Sequence, residues 1–187
     1  MPYISWFIVL AIFLGIFAWQ LSVWIGETRF KNKQYQTALA YARSKNKPLL
    51  IAGGPYGNRR IRHLLKIPAH GSGDFCLDIN REAVDGHPNA VIASVTHIPF
   101  SDKTFGAVFA SHLLEHLPTT TEGRQALAEL NRTAEAVFIV SPSRQSISGW
   151  LHPDHHLWIW QKGETTHLKQ RGKPGIKRKE EYINDNG

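Results

Sequence analysis

The stretch that decides the fold is Val91–Leu117, VIASVTHIPFSDKTFGAVFASHLLEHL. It begins with Val91–Val95, a short run of mostly apolar residues that is typical of a strand buried on both faces. Pro99 has no backbone N–H to donate, so this strand is expected to end before it. Phe105–Ala110 predicts a second buried strand, and Ser111 is placed to cap a helix over the rest of the stretch.

This stretch resembles a known enzyme family. The phrase Ile98–Phe105 (IPFSDKTF), followed by Ser111–Leu117 (SHLLEHL), is similar to the type 11 S-adenosylmethionine-dependent methyltransferases. The resemblance covers roughly Pro48–Ser141. It implies a Rossmann-like α/β fold with a doubly wound, mostly parallel sheet, and S-adenosylmethionine as the cofactor. Strands that alternate with helices along the same region independently predict a parallel sheet.

Length and composition limit the class of protein. The chain has 187 residues, a formal net charge of +7 and a single cysteine. This allows one modest domain with appendages, excludes an internal disulfide and favours a reducing compartment. The basic residues near the C-terminus are not interleaved with base-stacking aromatics, so nucleic-acid binding is not expected.

The N-terminal segment Ile4–Ile25 carries no charge and is almost wholly apolar. About 20 such residues span a bilayer core of roughly 30 Å. A cleaved signal peptide would have a basic start and a small-residue cleavage site, and neither is present. Arg29, Lys31 and Lys33 follow the segment, so the positive-inside rule predicts a single-pass protein with its C-terminal domain in the cytoplasm.

These patterns divide the chain into three parts. Residues 1–27 are predicted to be the transmembrane anchor, residues 28–168 the methyltransferase-like domain, and residues 169–187 a basic, flexible tail. A helix over 28–47 would connect the membrane to the domain. Leu157–Trp160 and Thr165–Lys169 predict a hairpin at the end of the domain.

A glycine turn follows the first predicted strand. Glycines at this junction allow a ligand to approach the backbone, and the start of the next helix, from about Arg59, favours negative charge. The resemblance departs from the family pattern at two positions, where Ile51 replaces an acid and Pro55 replaces a glycine. By the resemblance, the cofactor-binding residues here are Ala52, Gly53, Gly54 and Gly57.

Asp78 ends the second predicted strand, Asp74–Ile79. An acid about 20 residues after a glycine turn, at a strand tip, is placed to accept hydrogen bonds from ribose hydroxyls. Asp78 and its neighbour Ile79 are therefore assigned to cofactor binding. The alternative is an ordinary aspartate that caps the following helix.

Three further residues are assigned to the cofactor. In the resembled family an acid and a small residue after the third strand meet the adenine ring, and here Ser94 and Val95 hold those positions. Ser111, at the tip of the fourth strand, would face the cleft where α/β sheets place ligands.

The candidate general bases are histidines, which exchange protons near neutral pH. His112 follows the fourth strand, and the resemblance implies that the loop carrying His155 borders the substrate cleft. His152–His156 could also hold a metal or be a polar loop. A metal is not expected, because ligands usually converge from more than one element and this cluster comes from one loop.

Three functions remain open. The first is a membrane-anchored S-adenosylmethionine-dependent methyltransferase acting on a small or lipid-like acceptor. The second is a non-catalytic, membrane-tethered module with the same fold, which the changes at Ile51, Pro55 and Ser94 favour. The third is a nicotinamide-dependent oxidoreductase, which would leave the Ile98–Leu117 phrase unexplained.

Overall fold

The computed structural model describes residues 2–55, 70–163, 165–172 and 181–184. Gly57 and the helix expected from about Arg59 lie outside the described residues. The described elements follow one another as α1 (Pro2–Ser44), β1 (Leu49–Ala52), β2 (Phe75–Asp78), α2 (Arg81–Val84), β3 (Ala90–Ile92), β4 (Phe105–Ser111), a 3₁₀ turn (Leu114–His116), α3 (Thr120–Thr133), β5 (Ala134–Val140), α4 (Ile147–Leu151), β6 (Leu157–Lys162), β7 (Thr165–Gln170) and β8 (Glu181–Asn184).

Five parallel strands form the central sheet, in the order β3-β2-β1-β4-β5. The order reverses between β1 and β4, which places a crevice beyond the carboxyl ends of these two strands. Ile51 of β1 pairs with Phe109 of β4, so the two strands end at the same level. The prediction of a mostly parallel α/β sheet is confirmed.

Alternate residues of the central strands point to opposite faces of the sheet, and a helix covers each face. On one face, Ile51 and Phe109 share a buried cluster with Ala38 of α1. On the other face, Val108 shares a cluster with Leu127 of α3. Because both faces are covered, the strands read as continuous apolar runs rather than as alternating patterns.

Helix α1 is one continuous helix of 43 residues, so the predicted boundary at 27/28 falls inside it. Its C-terminal part approaches the sheet closely at Gly106, where an added Cβ would lie 2.8 Å from Cα of Ala42. Arg43 also pairs with Asp74 at 2.8 Å. The apolar N-terminal segment therefore leads into the domain without a linker.

Two predicted elements are shorter than expected. The third strand ends at Ile92 rather than Val95, because the Ser94 hydroxyl accepts a hydrogen bond from Thr96 N (3.2 Å) and turns the chain. The helix predicted after Ser111 is a single 3₁₀ turn. His112 has φ 53°, a left-handed conformation that a helix cannot continue through, and its N–H extends the ladder by donating to Val140 O at 2.8 Å.

The phrase that carries the family resemblance is mainly structural in this fold. Arg132 of α3 donates to the carbonyls of Ile98 (2.9 Å) and Phe100 (2.8 Å) and pairs with Asp102 at 2.8 Å. The ring of Phe100 packs edge-on against Phe105, with the centroids 4.8 Å apart. The loop before β4 is thereby fixed to the core, which positions the strand that leads to the site.

The predicted hairpin is confirmed as β6 and β7, which pair antiparallel. Its residues Leu157, Ile159 and Leu168 are buried in the main core. The predicted flexible tail differs in two respects: β7 continues to Gln170, and Glu181–Asn184 pairs with β7 as the third strand of this small sheet.

Candidate active site

The residues predicted to bind the cofactor lie where parallel strands end. Ala52, Asp78 and Ser111 are the last residues of three neighbouring strands, β1, β2 and β4. Ala52 pairs with Leu77 on one side and Ala110 on the other, so these strand ends meet at one edge. The structure therefore brings the predicted residues of three strands together at the crevice.

Gly53 and Gly54 both need to be glycine. Their φ angles are 106° and 67°, which L side chains rarely adopt. Gly53 donates to Leu77 O at 2.9 Å, and a Cβ on it would lie 3.3 Å from Cβ of Leu113, beyond the end of β4. A Cβ on Gly54 would lie 2.7 Å from the carbonyl oxygen of Ala83, so Gly54 also lets α2 pack against the turn.

Gly54→Ala is expected to destabilise the fold by more than the ~1–2 kcal/mol typical of a left-handed residue, because the new methyl also meets α2. Gly86→Ala is the matched control, since Gly86 has φ 77° with nothing within 4 Å of an added Cβ. Denaturant unfolding of both variants separates the two costs. Equal destabilisation would show that α2 moves away without cost.

Asp78 is a half-buried carboxylate at the tip of β2. Its Oδ1 accepts a hydrogen bond from Asn80 N at 2.8 Å, and burial raises its pKa above the usual range. The side chain that caps α2 is Asn80, which accepts from Glu82 N at 3.0 Å. The helix-capping role considered for Asp78 thus belongs to Asn80. Asp78 instead orders the turn that precedes α2.

The remaining predicted cofactor residues differ in exposure. Ile79 is 74% exposed beside Asp78, whereas Val95 is buried in the core. The Val95 side chain is therefore part of the packing rather than free for an adenine ring. The hydroxyl of Ser94 lies 2.7 Å from that of Thr96, and the predicted contact of Ser94 with adenine stays a prediction.

His112 and Glu115 form a pair beyond β4. Nδ1 of His112 lies 3.3 Å from Oε1 of Glu115, a carboxylate that is only 2% exposed. The other oxygen, Oε2, accepts from the Ser141 hydroxyl at 3.4 Å. Oε1 has no aligned hydrogen bond among the described residues, so its approach to His112 is a close contact that becomes an ion pair when the imidazole is protonated. A buried carboxylate beside a half-exposed imidazole can orient it and stabilise its protonated form.

His112 also lines a cavity of about 480 Å³ between α1 and the loop after β5. The α1 wall combines apolar side chains, Trp19, Val23 and Phe30, with the polar Glu27. Glu27 Oε1 accepts a hydrogen bond from Ser143 N at 2.7 Å and so ties the two walls together. His112 is therefore next to the predicted cofactor edge and open to a separate, partly apolar cavity.

His155 lies elsewhere, in a group of three imidazoles. Its ring stacks on His152 (4.3 Å between centroids) and meets His116 of the 3₁₀ turn at 4.8 Å. Burial lowers its pKa, partly offset by the charge of Glu115. His155 is not among the residues that line the cavity with His112.

The family profile described as "Methyltransferase domain" matches residues 68–136, from just before β2 into β5. Over this segment the chain matches the methyltransferase domain family. The methyltransferase segment contains Asp78, Ser111, His112 and Glu115, and its cofactor is S-adenosylmethionine. The match includes the Ile98–Leu117 phrase, which the nicotinamide alternative leaves unexplained.

Solved structures show a looser likeness. A protein from Pyrococcus horikoshii OT3 is 13% identical, with 83% of this chain and 75% of that chain covered and a TM-score of 0.42. An S-adenosylmethionine-dependent methyltransferase from Clostridium acetobutylicum ATCC 824 is 11% identical, with 80% and 72% covered and a TM-score of 0.40. No curated protein matches the chain significantly.

Sequence reasoning missed two kinds of residue. Glu115 and His116 belong to the quoted phrase, and their spacing of three and four residues from His112 could have indicated a shared side of one turn. The cavity wall from Trp19 to Phe30 had no such signal, because the apolar run there was explained by the membrane alone.

Proposed function

We propose that the protein is a membrane-anchored methyltransferase whose acceptor is a lipid-like molecule with its reactive group near the membrane surface. The observation that carries the proposal is the position of His112, which faces a cavity walled by the same helix that carries the apolar segment. Bound S-adenosylmethionine supplies an activated methyl group, so the protein mainly has to orient the acceptor and exclude water.

The apolar part of α1 supports the anchor. Among the described residues α1 is the helix long and apolar enough to cross a membrane, and none of its most apolar window is buried. Large apolar side chains stay exposed from Trp6 to Trp19, with exposed fractions of 44–72% as far as Leu21. Exposure on this scale is costly in water and favourable in a bilayer.

Within α1, Gln20 contacts the domain, and the apolar residues before it are available to a membrane. Gln20 exchanges hydrogen bonds with Gln145 O and Ile147 N, both at 3.0 Å. Residues 2–19 then cover about 27 Å at the rise of an α-helix. This is close to the ~30 Å hydrocarbon core, so the domain would rest directly on the membrane surface.

Helix α4 supports the same placement. It starts at Ile147, beside Gln20, and leaves Ile147, Trp150 and Leu151 exposed at 39%, 53% and 76%. These apolar side chains lie next to the point where α1 leaves the domain. A tryptophan with neighbouring apolar residues at that level suits the membrane–water interface.

This placement gives the cavity its chemical character. Its wall spans Trp19 to Phe30, from the end of the apolar run to the first polar turns of α1. An amphiphilic acceptor can keep its tail in the bilayer and present its polar group to His112. Arg29, Lys31 and Lys33 follow the apolar run, and by the positive-inside rule they favour a domain on the cytoplasmic side.

His112 is the proposed general base, with Glu115 as the residue that positions it. The acceptor loses a proton as it takes the methyl group, and a histidine can accept that proton. Ala52, Gly53 and Asp78 are proposed to hold the cofactor from the other side of His112. Glu115 supports the imidazolium through its charge at 3.3 Å.

Cofactor affinity is expected to be weak. Ile51, where the family has an acid, is fully buried in the core, and Pro55 and Ser94 replace a glycine and an acid. Each lost hydrogen bond costs about 0.5–1.5 kcal/mol net, so two or three lower the affinity by roughly one to three orders of magnitude. Calorimetry or saturation-transfer NMR at millimolar S-adenosylmethionine, on the full chain in detergent, should detect binding. Absence of binding to a folded protein would favour the non-catalytic module.

The acceptor class is tested with methyl-tritiated S-adenosylmethionine and lipid extracts. The full chain in membranes should transfer label into material that partitions into organic solvent. If the cofactor binds but the label appears only in water-soluble products, the assignment as a methyltransferase stands and the lipid-like acceptor is rejected.

The anchor is tested by extraction. The full chain should stay with membranes after high-salt and carbonate washing, because α1 would be inserted rather than adsorbed. A chain truncated to begin at Thr28 keeps the part of α1 that packs on the sheet and should be released. Release of the full chain by carbonate would contradict the anchor.

A further inference from the structure

Three histidines from two separate elements converge beside the proposed active site. His116 belongs to the 3₁₀ turn after β4, and His152 and His155 belong to the loop after α4. One nitrogen from each ring can be chosen so that all three lie within 4.8 Å of one another. The sequence argument against a metal was that the ligands came from a single loop, and His116 supplies the second element.

Hydrogen bonds leave one ring nitrogen available on two of the rings. Nδ1 of His116 lies 3.1 Å from Asp154 O, and Nδ1 of His155 lies 3.2 Å from Gly149 O. A carbonyl oxygen can only accept, so both Nδ1 atoms carry a proton, and in the neutral ring Nε2 then has the lone pair. This is the arrangement in which histidines bind metals, with the second nitrogen bonded to a backbone carbonyl.

The third ring needs a small change. Nδ1 of His152 accepts from Asp154 N at 3.4 Å, a long contact on an exposed residue. Exchanging it for water frees either nitrogen of His152. Tetrahedral zinc at about 2.0–2.1 Å from nitrogen brings its ligands to roughly 3.4 Å from one another. Rotation of the exposed imidazoles of His116 and His152 can supply this closure.

We propose that His116, His152 and His155 bind a divalent transition-metal ion of the zinc type, with water in the fourth position. Neutral imidazoles suit such ions, and three histidines leave an open coordination position. The buried carboxylate of Glu115 adds a negative charge close to His155 and favours a cation there.

The backbone around the three histidines is already held together. His156 N donates to Glu115 O at 2.7 Å, which joins the loop to the 3₁₀ turn. Arg171 donates to the carbonyls of Gly149 and His152, both at 3.1 Å, and to that of Trp150. Little backbone ordering therefore remains for the ion to impose, which favours binding.

The proposal stands apart from methyl transfer, but it has a consequence for it. A bound ion would occupy the lone pair of His155, so His155 could not act as a general base. His112, which is outside the three-histidine group, would keep that role.

The test uses the full chain in detergent, purified without a polyhistidine tag and stripped with chelator. Zn²⁺ titrated by calorimetry should bind one ion per chain, and Co²⁺ should give the intense visible bands of a tetrahedral site. His152→Gln and His116→Gln should each lower the affinity by at least ~100-fold, beyond the 10–100-fold of an outer-shell partner. His156→Gln is the matched control in the same loop and should bind as the parent does.

His152 is exposed, so its replacement does not disturb the core and an unfolded variant is not at issue. Absence of a one-to-one complex at submillimolar Zn²⁺ would overturn the proposal. Equal losses for His152→Gln and His156→Gln would overturn it too, because they would indicate adventitious binding to surface histidines.

Discussion

Replacement of His112 by alanine is expected to lower the rate of methyl transfer by about 10²–10⁴-fold, the range typical of a general base. The imidazole is half exposed in the cavity, while its Nδ1 faces the buried Glu115 at 3.3 Å. The affinity for S-adenosylmethionine should change little, since His112 faces the cavity proposed for the acceptor. Single-turnover transfer of tritiated methyl into the organic phase measures the rate.

Glu115→Gln tests whether Glu115 positions His112 through its charge or only packs against it. The amide keeps the size of the buried side chain but removes the charge beside His112. A positioning role predicts a slower reaction whose acidic pH limb is shifted, with cofactor binding intact. An unchanged rate in His112→Ala would leave the acceptor without an identified base and would contradict the assignment.

Replacement of Asp78 by alanine is expected to weaken S-adenosylmethionine binding about tenfold to a hundredfold. The carboxylate would accept charge-assisted hydrogen bonds from ribose hydroxyls, which are worth roughly 1.5–3 kcal/mol. Calorimetry on the full chain in detergent measures the loss. Asp78→Asn is the paired variant, because its amide oxygen can still accept from Asn80 N and preserve the turn.

The stability of Asp78→Asn should move in the opposite direction to its cofactor binding. Burial raises the pKa of Asp78 in the folded chain, so the folded state holds this proton more tightly than the unfolded state does. The ionised carboxylate therefore lowers stability at neutral pH. This penalty begins to fall as the pH drops below the folded-state pKa, and it is gone below the unfolded-state pKa. Asp78→Asn should unfold at neutral pH no earlier than the parent. Lower stability with normal cofactor affinity would reassign Asp78 to a structural role.

The sheet was predictable because its signals are local. β1 and β4 are buried along their whole length and read as short apolar runs, and the hairpin is marked by its turn. The carboxyl ends of parallel strands lie at one edge of a sheet. Asp78 and Ser111 could therefore be placed at that edge from the sequence alone.

The rest of the site depends on contacts between distant residues. The expected helix does not form after Ser111, because His112 adopts a left-handed conformation and donates its N–H to the Val140 carbonyl. The local sequence does not indicate either feature. The meeting of His116 with His155 requires the chain to pass through α3, β5 and α4 first. Val95 was assigned to the cofactor by position alone, and its burial in the core could not be read from the motif.

The continuous α1 helix has a consequence for how such an enzyme would be measured. The helix enters the core beside Gly106 without a flexible joint, so the tilt of the apolar segment and the orientation of the cavity are fixed together. With α1 in a bilayer, the cavity stays at one height and meets acceptors by lateral diffusion. The rate would then follow the mole fraction of acceptor in the lipid, and dilution with inert lipid would slow the reaction at constant bulk concentration.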